Sequence, residues 1–312
     1  VITKGKFFFM ATAKKLKYFE ESVLPAMNEN TQQVVLLEKT KDDGQNRENM
    51  NDLINRMREN KGKKVASFFK ATFEGKFIPQ WMTMLKDSQL DMHEAGPAFG
   101  HFFAQKDSDE LEFCKRAAIL TNKVMKHGFV TKMEEILDSD GKITHEKVSN
   151  DVDEIISNPE KINIKISSDS VDSCYTPIIQ SGGKYDIKVS AYSSNENLCP
   201  DVIIASMGAR YKSYCANISR TFMVDAPAKV ESTYGTLLSL HAYCLDLMAA
   251  GNAVKDVVLK AREWVEKKDA NLLACLPKSL GFSIGLEFRD ASMLINDKST
   301  ATFQPGQVFA LS

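Results

Sequence analysis

The chain has 312 residues, of which 43% are hydrophobic and 26% are charged. This balance is typical of globular proteins, not of disordered or membrane chains, and the length predicts two domains with a core each. Lys and Arg total 40 and Asp and Glu total 41, for a net charge of −1, which argues against a surface organised around nucleic-acid phosphates.

The N-terminal stretch and the apolar runs of the sequence predict neither a signal peptide nor a membrane span. VITKGKFFFMA at the N-terminus has too short an apolar core for a signal peptide. The longest apolar runs, such as VIIA at 202–205, are far shorter than the roughly 20 residues that span a bilayer. Because an initiator Met is lacking and the last residues are strand-like, the sequence is interpreted as a fragment of a longer chain.

The first lobe is predicted to alternate strands and helices over residues 1–105, which indicates a small α/β domain. Its predicted strands are 6–11, 34–38, 63–69 and 98–105, and its predicted helices are 51–60 and 77–87.

The polar stretch QKDSDE at 105–110 predicts the boundary to a second domain, 106–312. Asp107 or Ser108 can cap the following helix. The apolar face of that helix is predicted from residues at helical spacing. These are Leu111, Cys114, Ala118 and Met125.

The rest of the second domain is predicted to contain a loop, two helices and a set of strands. The D-x-D-G at 138–141 resembles a calcium loop, but no bidentate Glu follows at the required position, so 138–148 is interpreted as a loop. The helices are 228–250 and 254–267 and the strands are 201–210, 213–224, 280–288 and 307–312. The 228–250 helix is predicted to bury Val230, Tyr234, Leu237, Leu238, Leu245 and Met248. For the 254–267 helix the predicted inward residues are Val254, Val257, Val258, Ala261, Trp264 and Val265.

Six cysteines lie far apart without a C-x-x-C pair, which predicts buried free thiols in a reducing compartment. Disulfides or a structural zinc are minor alternatives. The six are Cys114, Cys174, Cys199, Cys215, Cys244 and Cys275.

A predicted hairpin over 201–224 carries the pattern that bears on function. If its turn centres between Tyr211 and Lys212, Ser206 lies directly across from Asn217, with Cβ atoms roughly 5 Å apart. Two carboxylates at this spacing could bridge a pair of divalent ions. Here the two side chains are neutral.

The motifs SMGARY, NISRTF, GFSIGLEFRD and GQVFALS resemble the metal-binding motifs of the pita-bread peptidases, which include methionine aminopeptidase, aminopeptidase P and creatinase. The resemblance implies an α/β (α+β) fold of the creatinase/aminopeptidase type: a small N-terminal α/β lobe and a pita-bread C-terminal lobe.

The same resemblance implies where the metal ligands would lie. The two Asp positions fall on Ser206 and Asn217, the metal-binding His falls on Phe282, and the first ligand Glu falls on Ser312. The proton-shuttling His falls near Val189. Serine, asparagine and phenylalanine replace the imidazole and carboxylate groups that catalytic metals need. We therefore expect no metal, no cofactor and no peptidase chemistry.

No other set of residues replaces the missing ligands. No His follows His241, and an isolated His such as His127 or His145 is more often structural than a ligand. The sequence has no G-x-S-x-G elbow, P-loop or dinucleotide fingerprint. SGGKYD at 181–186 is interpreted as a turn.

One branch of the fold has lost these ligands: the N-terminal domain of the large subunit of the FACT histone chaperone. CYTPIIQSGGKYDIKVSA at 174–191 and the YKSYC turn are similar to that branch. The resemblance implies a protein of the nucleus and chromosome that acts in transcription, DNA replication and repair. It implies histone partners, the three-and-four tetramer or its tails, and a smaller HMG-box subunit bound through regions outside this sequence. It implies neither sequence-specific nucleic-acid binding nor membrane binding.

A cleft that no longer binds metal could still accept a peptide backbone beside a sheet edge. The candidate peptide or histone contacts at its rim are Arg210, Lys212, Glu287, Arg289 and Asp290. Two alternatives stay open. The chain could be an active metallo-aminopeptidase with relocated ligands, or a purely structural lobe in which Ser206 and Asn217 pair with each other.

Overall fold

The computed structural model describes residues 1–3, 6–26, 33–59, 64–69, 73–139, 141–188 and 190–312, apart from the side chains of Thr3, Ala26 and Ser292. These residues group into two compact units, Val1–Pro97 and Ala98–Ser312. Residues 98–105, which the sequence analysis placed in the first lobe, group with the second unit. The lobe boundary after residue 105 stays a prediction.

The first unit is built from short strands and amphipathic helices. Its elements are β1 (Ile2–Thr3), β2 (Lys6–Ala11), α1 (Ala13–Tyr18), β3 (Gln33–Glu38), α2 (Asp43–Glu59), β4 (Lys64–Ser67), α3 (Phe77–Asp87) and β5 (Asp91–Glu94). One sheet has the order β1-β2-β3 with β2 and β3 parallel, and β4 pairs in parallel with β5. Ile54, Met57 and Leu85 form a core between the helices.

The predicted strands 6–11 and 34–38 and the predicted helix 77–87 are confirmed. The predicted helix 51–60 begins earlier, at Asp43, because the Asp42 carboxylate accepts the Gly44 N–H at 2.7 Å and caps the first turn. Asn60 and Lys63, at the ends of two predicted elements, lie outside the described residues.

The predicted strand 98–105 is wrong, since these residues lie in a helix, α4 (Gly96–Ala104). Phe99 and Phe103 are one helical turn apart and their rings stack with centroids 5.8 Å apart. The three- and four-residue spacing of the phenylalanines is the helical period, which the short apolar run concealed.

Three helices cover the first sheets of the second unit: α5 (Ser108–Lys123), α6 (Thr131–Asp138) and α7 (His145–Ser157). The predicted cap is confirmed, because the Asp107 carboxylate accepts the Asp109 and Glu110 N–H groups and Glu110 completes a capping box.

The buried face of α5 differs from the predicted one. Cys114 is buried as expected, but Leu111 and Ala118 are exposed, and Ala117 and Leu120 are buried instead. Met125, which was also predicted to face inward, is buried. The apolar stripe is therefore rotated toward the sheet by about one residue.

The predicted loop 138–148 is shorter than expected. Helix α6 ends at Asp138 and α7 begins at His145, and residues 141–144 belong to no helix. Asp140, in the middle of this stretch, lies outside the described residues.

The sheets under these helices consist of β6 (Val171–Ser173), β7 (Ile178–Gln180), β8 (Asp201–Met207), β9 (Ala209–Tyr211), β10 (Tyr214–Cys215) and β11 (Ile218–Val224). Their strand orders are β10-β9-β6 and β11-β8-β7. Phe129, Ile179 and Ile203 are fully buried between helices and sheet, in the larger apolar core of the unit.

The remaining elements are α8 (Ala228–Leu247), α9 (Val254–Asp269), β12 (Ser279–Ser283), β13 (Asp290–Asn296) and β14 (Phe309–Leu311), with the strand order β13-β12-β14. The inward face predicted for α9 is confirmed, with Val257, Val258 and Ala261 buried and Trp264 half-buried. The strand predicted at 280–288 ends at Ser283, where the chain turns into β13. β6, β7 and β13 were not predicted.

The apolar face predicted for α8 is not buried in this structure. Leu237, Leu238 and Leu245 are 52%, 53% and 51% exposed, whereas Leu240 and Cys244 point into the core. The exposed side of α8 borders an apolar groove of about 610 Å³, whose other wall includes Leu276, Leu280 and Leu311. Across the described residues, no helix has the length and hydropathy needed to cross a membrane.

Candidate functional site

The hairpin that carries the former ligand positions turns at Lys212 and Ser213. Both residues have positive φ, 47° and 73°, as a type I′ turn requires. Tyr211 pairs with Tyr214 and Ser206 pairs with Ser219. The prediction that Ser206 lies directly across from Asn217 is therefore wrong, because the turn centre lies one residue later than assumed and every partner moves by two.

A tyrosine outside the hairpin joins Ser206 and Asn217, the two predicted ligand positions. The Tyr175 hydroxyl lies 2.7 Å from Ser206 Oγ and donates to Asn217 Oδ1 at 2.5 Å. Ser219 Oγ donates to Ser206 Oγ at 2.8 Å. Because the Tyr175 proton points to Asn217, the donor order is Ser219, Ser206, Tyr175, Asn217. Burial raises the pKa of Tyr175, so this chain of hydrogen bonds is neutral.

Aromatic packing extends from Tyr175 to the former histidine position. The Tyr175 ring lies 4.9 Å from Phe288, and Phe288 meets Phe282 edge-on at 5.7 Å. Phe282 is 6% exposed and belongs to a small core with Cys215 and Ile284. This position is therefore occupied by a core side chain with no lone pair to offer a metal.

The other two positions predicted from the resemblance are Ser312 and Val189. Ser312 follows β14, is exposed, and donates its N–H to the Leu280 carbonyl at 2.8 Å. Val189 lies outside the described residues.

This set of residues does not fit the dinuclear metal centre that the fold implies. A serine hydroxyl, an asparagine amide and a phenylalanine ring supply no charge to hold two divalent cations. The oxygens of Ser206 and Asn217 are already engaged by Tyr175. Among the described residues, no group of three or more His, Cys, Asp or Glu side chains is arranged to hold a metal.

The candidate contact residues fall into exposed and half-buried groups. Lys212, Glu287 and Arg289 are exposed, while Arg210 and Asp290 are half-buried. The Lys212 ammonium lies 5.0 Å from the Phe113 ring, and Arg289 lies 5.4 Å from the Phe282 ring. The predicted rim is therefore accessible at three of these positions.

Backbone hydrogen bonds bring the hairpin and the turn after β12 together. The Cys215 N–H donates to the Gly285 carbonyl at 2.8 Å, and Gly285 N–H donates to the Glu287 carbonyl at 3.1 Å. The end of the hairpin and Glu287 thus lie on one continuous surface of the second unit.

A second buried polar cluster holds the Gly-rich loop. His145 is 2% exposed, with Nε2 2.7 Å from Ser181 Oγ and Nδ1 3.0 Å from Ser194 Oγ. Burial lowers the pKa of His145 below its usual 6.5. Gly182 and Gly183 have φ of 81° and 82°, which confirms the turn predicted at 181–186. His145 is a structural residue, as expected.

The sequence analysis did not predict a role for Tyr175, which lies in the CYTP segment at 174–177. Its role depends on a hydrogen bond across 31 residues to Ser206 and another across 42 residues to Asn217. No local spacing encodes such a contact. The available signal was the presence of two polar residues, Ser206 and Asn217, at the predicted ligand positions, because buried polar groups require a partner.

The two parts of the chain match two different family models. Residues 112–312 match the model of metallopeptidase family M24, and residues 1–96 match the model of the FACT complex subunit SPT16 N-terminal lobe domain. The FACT complex subunit SPT16 of Oryza sativa subsp. japonica is 37% identical over 251 residues, which cover 80% of this chain and 24% of the rice protein. The chain thus spans about a quarter of that relative.

Solved structures show the same relationship. The N-terminal domain of FACT complex subunit SPT16 from Cicer arietinum (chickpea) superposes with a TM-score of 0.94 at 35% identity, covering 99% of this chain and 73% of that one. The X-Pro aminopeptidase of Thermotoga maritima superposes with a TM-score of 0.68 at 17% identity, over 99% of this chain and 78% of that one. At that identity the likeness concerns the fold alone, and it confirms the predicted creatinase/aminopeptidase-type α/β architecture.

Proposed function

The chain belongs to the M24 metallopeptidase family and, within it, to the N-terminal domains of the FACT complex subunit SPT16, and on that basis we propose that it is a catalytically inactive peptidase-like domain of a histone chaperone. In this proposal it contributes to binding histones, as the three-and-four tetramer or its tails, in the nucleus and on the chromosome. The smaller HMG-box subunit is engaged by regions outside this sequence.

The observation that carries the inactive state is the neutral hydrogen-bond chain through Tyr175. It engages Ser206 and Asn217, while Phe282 is packed in a core. Hydrolysis by this fold requires a metal to lower the pKa of water from about 15.7 toward neutrality. None of these side chains can hold that metal.

Peptide turnover tests the inactive state directly. The purified protein, supplied with Mn²⁺, Zn²⁺ or Co²⁺ in turn, is incubated with Xaa-Pro dipeptides, and the products are separated chromatographically. We expect no turnover above a metal-only blank. Turnover that co-purifies with the protein through two columns would favour the alternative of relocated ligands.

Surface charge supports a histone contact. Histones are strongly basic, and acidic side chains attract them in a salt-dependent way. Glu134, Glu135 and Asp138 of α6 are exposed. In the neighbouring acidic stretch, by contrast, Asp151 is held by Lys132 and Lys147 and is less available. We propose the α6 face as one contact surface, and the rim residues Arg210, Lys212, Glu287, Arg289 and Asp290 as a second.

Titration with the histone three-and-four tetramer and with tail peptides, at two salt concentrations, tests this contact. The variant Glu134→Lys/Glu135→Lys should weaken binding about tenfold at low salt and less at high salt. Glu263→Lys/Glu266→Lys, with the same charge change on α9, is the matched control and should bind like wild type. If neither the wild type nor the control binds, the chain is a purely structural lobe.

A further inference from the structure

An apolar groove runs along the exposed side of α8. Its volume is about 610 Å³, and α8 contributes Leu237 and Leu240 to its lining. Leu276 and Leu311 line the opposite wall. Leu237 remains 52% exposed although it lines the groove. An open apolar surface of this kind on a folded protein marks a site for an interaction.

The strand that borders the groove has one free edge. β14 is the last strand in the order β13-β12-β14, and the Val308 carbonyl and the Ser312 N–H beside it form hydrogen bonds of 3.0 and 2.8 Å toward β12. Main-chain groups alternate in direction along an antiparallel strand, so the N–H and C=O groups of Phe309 and Leu311 point away from β12. Among the described residues these groups have no hydrogen-bond partner. Such an edge is a template for a further strand.

The side chains of β14 connect its free edge to the groove. Phe309 and Leu311 pack against the core that α8 and α9 share with the sheet, whereas Ala310 between them faces the opposite core. Residues paired across neighbouring strands lie on the same face of a sheet. A strand added beside β14 would therefore place every second side chain next to Leu311, on the face that α8 covers, where Leu237 lines the groove.

Charge determines which kind of strand fits. Lys229, in the first turn of α8, lines the groove, and no Asp or Glu side chain lines it among the described residues. Lys229 is exposed and forms no ion pair within the described part of the chain. A carboxylate on the incoming segment would complement this lysine, whereas a basic segment such as a histone tail is disfavoured. The β14 segment of a second copy is not complementary either, because residues 303–312 contain no acidic residue.

We propose that this groove binds an extended segment of a partner protein, in which apolar residues alternate with polar ones and at least one polar residue is acidic. The segment adds as a fourth strand to the β13-β12-β14 sheet and pairs with the free main-chain groups of Phe309 and Leu311. Its apolar side chains enter the groove beside Leu237, and its carboxylate faces Lys229. Main-chain hydrogen bonds give such a strand affinity, and the groove for alternate side chains gives it specificity. The site does not involve the residues proposed to contact histones.

Fluorescence anisotropy with a synthetic peptide tests the groove. The probe is Glu-Val-Thr-Leu-Glu-Val-Thr with fluorescein at its amino end, titrated with the purified protein. We expect saturable binding, which Leu237→Lys should weaken about tenfold because a charged side chain then lies among the apolar ones. Leu238→Lys is the matched control. Leu238 is 53% exposed on the same helix but does not line the groove, so this variant should bind like wild type.

Altered peptides separate strand pairing and charge from simple apolar contact. N-methylation of the Val and Leu residues, or instead of the Thr residues and the central Glu, blocks one edge of the peptide strand at a time. Only one of these two peptides should lose binding, because only one edge faces β14. A peptide with Lys in place of both Glu residues should bind wild type about tenfold more weakly, less so at high salt. Lys229→Glu should reverse this preference.

Amide hydrogen exchange locates the bound peptide, with circular dichroism to verify that each variant is folded. The peptide should slow exchange of the Phe309 and Leu311 N–H groups. The proposal is overturned if wild type does not bind the peptide at millimolar concentration, or if both N-methylated peptides bind like the parent. It is also overturned if sedimentation shows a wild-type dimer that Leu237→Lys converts to a monomer, since a second copy would then occupy the groove.

Discussion

At the residue scale, Tyr175 links the two positions to which the resemblance assigns metal ligands. Its single hydroxyl contacts Ser206 and Asn217, and its ring continues the aromatic packing toward Phe282. One neutral group thus partners two half-buried positions at once, and it supplies the hydrogen bond that Asn217 Oδ1 accepts.

Removing that hydroxyl should cost stability. We expect Tyr175→Phe to lower the free energy of unfolding by about 1–3 kcal/mol, because the half-buried side chains of Ser206 and Asn217 lose their shared hydrogen-bond partner. Urea denaturation measures the change. Tyr185→Phe is the matched control: its hydroxyl donates to the Val202 carbonyl at 2.7 Å from an exposed side chain, and its loss should cost less. Equal effects would contradict the role given to Tyr175.

His145 makes stability depend on pH. Burial lowers its folded-state pKa below the unfolded value of 6.5, so below that pH the unfolded chain binds a proton that the folded chain resists. The contribution of His145 is complete above pH 6.5 and is lost as the pH falls through the folded-state pKa, by up to about 1.4 kcal/mol per pH unit.

Denaturation at pH 7.5, 6.0 and 5.0 checks this behaviour. His145→Gln should flatten the pH dependence between pH 7.5 and 5.0, whereas His127→Gln, at an exposed histidine, should leave it unchanged. A wild-type stability that is constant or rises toward pH 5.0 would rule the mechanism out.

At the element scale, α8 shows how far periodicity alone can be trusted. The sequence correctly predicted a helix there, and its apolar residues outnumber the positions that pack inward. Leu237 and Leu240 have the same side chain and differ only in direction, at 52% and 5% exposed. When a helix has apolar residues on more than one side, its sequence does not predict which side is buried.

Paired truncations on α8 test this assignment. Leu240→Ala should destabilise the protein by about 2–5 kcal/mol because it leaves a cavity in the core. Leu237→Ala should change stability by no more than about 0.5 kcal/mol, as at other exposed positions. Thermal unfolding of the two variants side by side decides the matter, and a larger loss for Leu237→Ala would reverse the assignment.

Glycine has opposite roles in two elements of the second unit. A Cβ at Gly208 would lie 2.6 Å from the Ala216 carbonyl oxygen, whereas a Cβ at Gly235, within α8, would meet nothing within 4 Å. Gly208→Ala should therefore destabilise the hairpin by several kcal/mol. Gly235→Ala should stabilise the helix by about 1 kcal/mol. Chemical denaturation distinguishes the two signs.

At the scale of the whole molecule, the sequence predicted the architecture better than the details of the site. Long motifs such as GFSIGLEFRD carry the order of strands and turns, and the α/β fold followed from them. Short sequence signals also predicted local structure correctly, as with the helix cap at Asp107. The register at Ser206 was missed because it depends on a one-residue difference in turn position. The helix at 96–104 was missed because the helical spacing of its phenylalanines lies within a short apolar run that also fits a strand.

The neutral side chains at the predicted ligand positions lead us to expect that divalent metals do not stabilise the folded protein. Any ion that binds the native state selectively raises its melting temperature. Adding Mn²⁺ or Zn²⁺ at millimolar concentration, or removing divalent ions with EDTA, should leave the melting temperature unchanged within error. A metal-dependent rise that EDTA reverses would show that a site exists elsewhere in the chain.

The direction of the Tyr175 hydrogen bond also determines how easily a metal ligand could be placed at residue 217. Because Asn217 only accepts from Tyr175, an aspartate there would keep the same acceptor and nearly the same shape. Phe282 offers no comparable route, since a histidine in its place would insert polar nitrogens among apolar neighbours. Installing a metal ligand would thus disturb little at residue 217 and would disturb the apolar packing at residue 282.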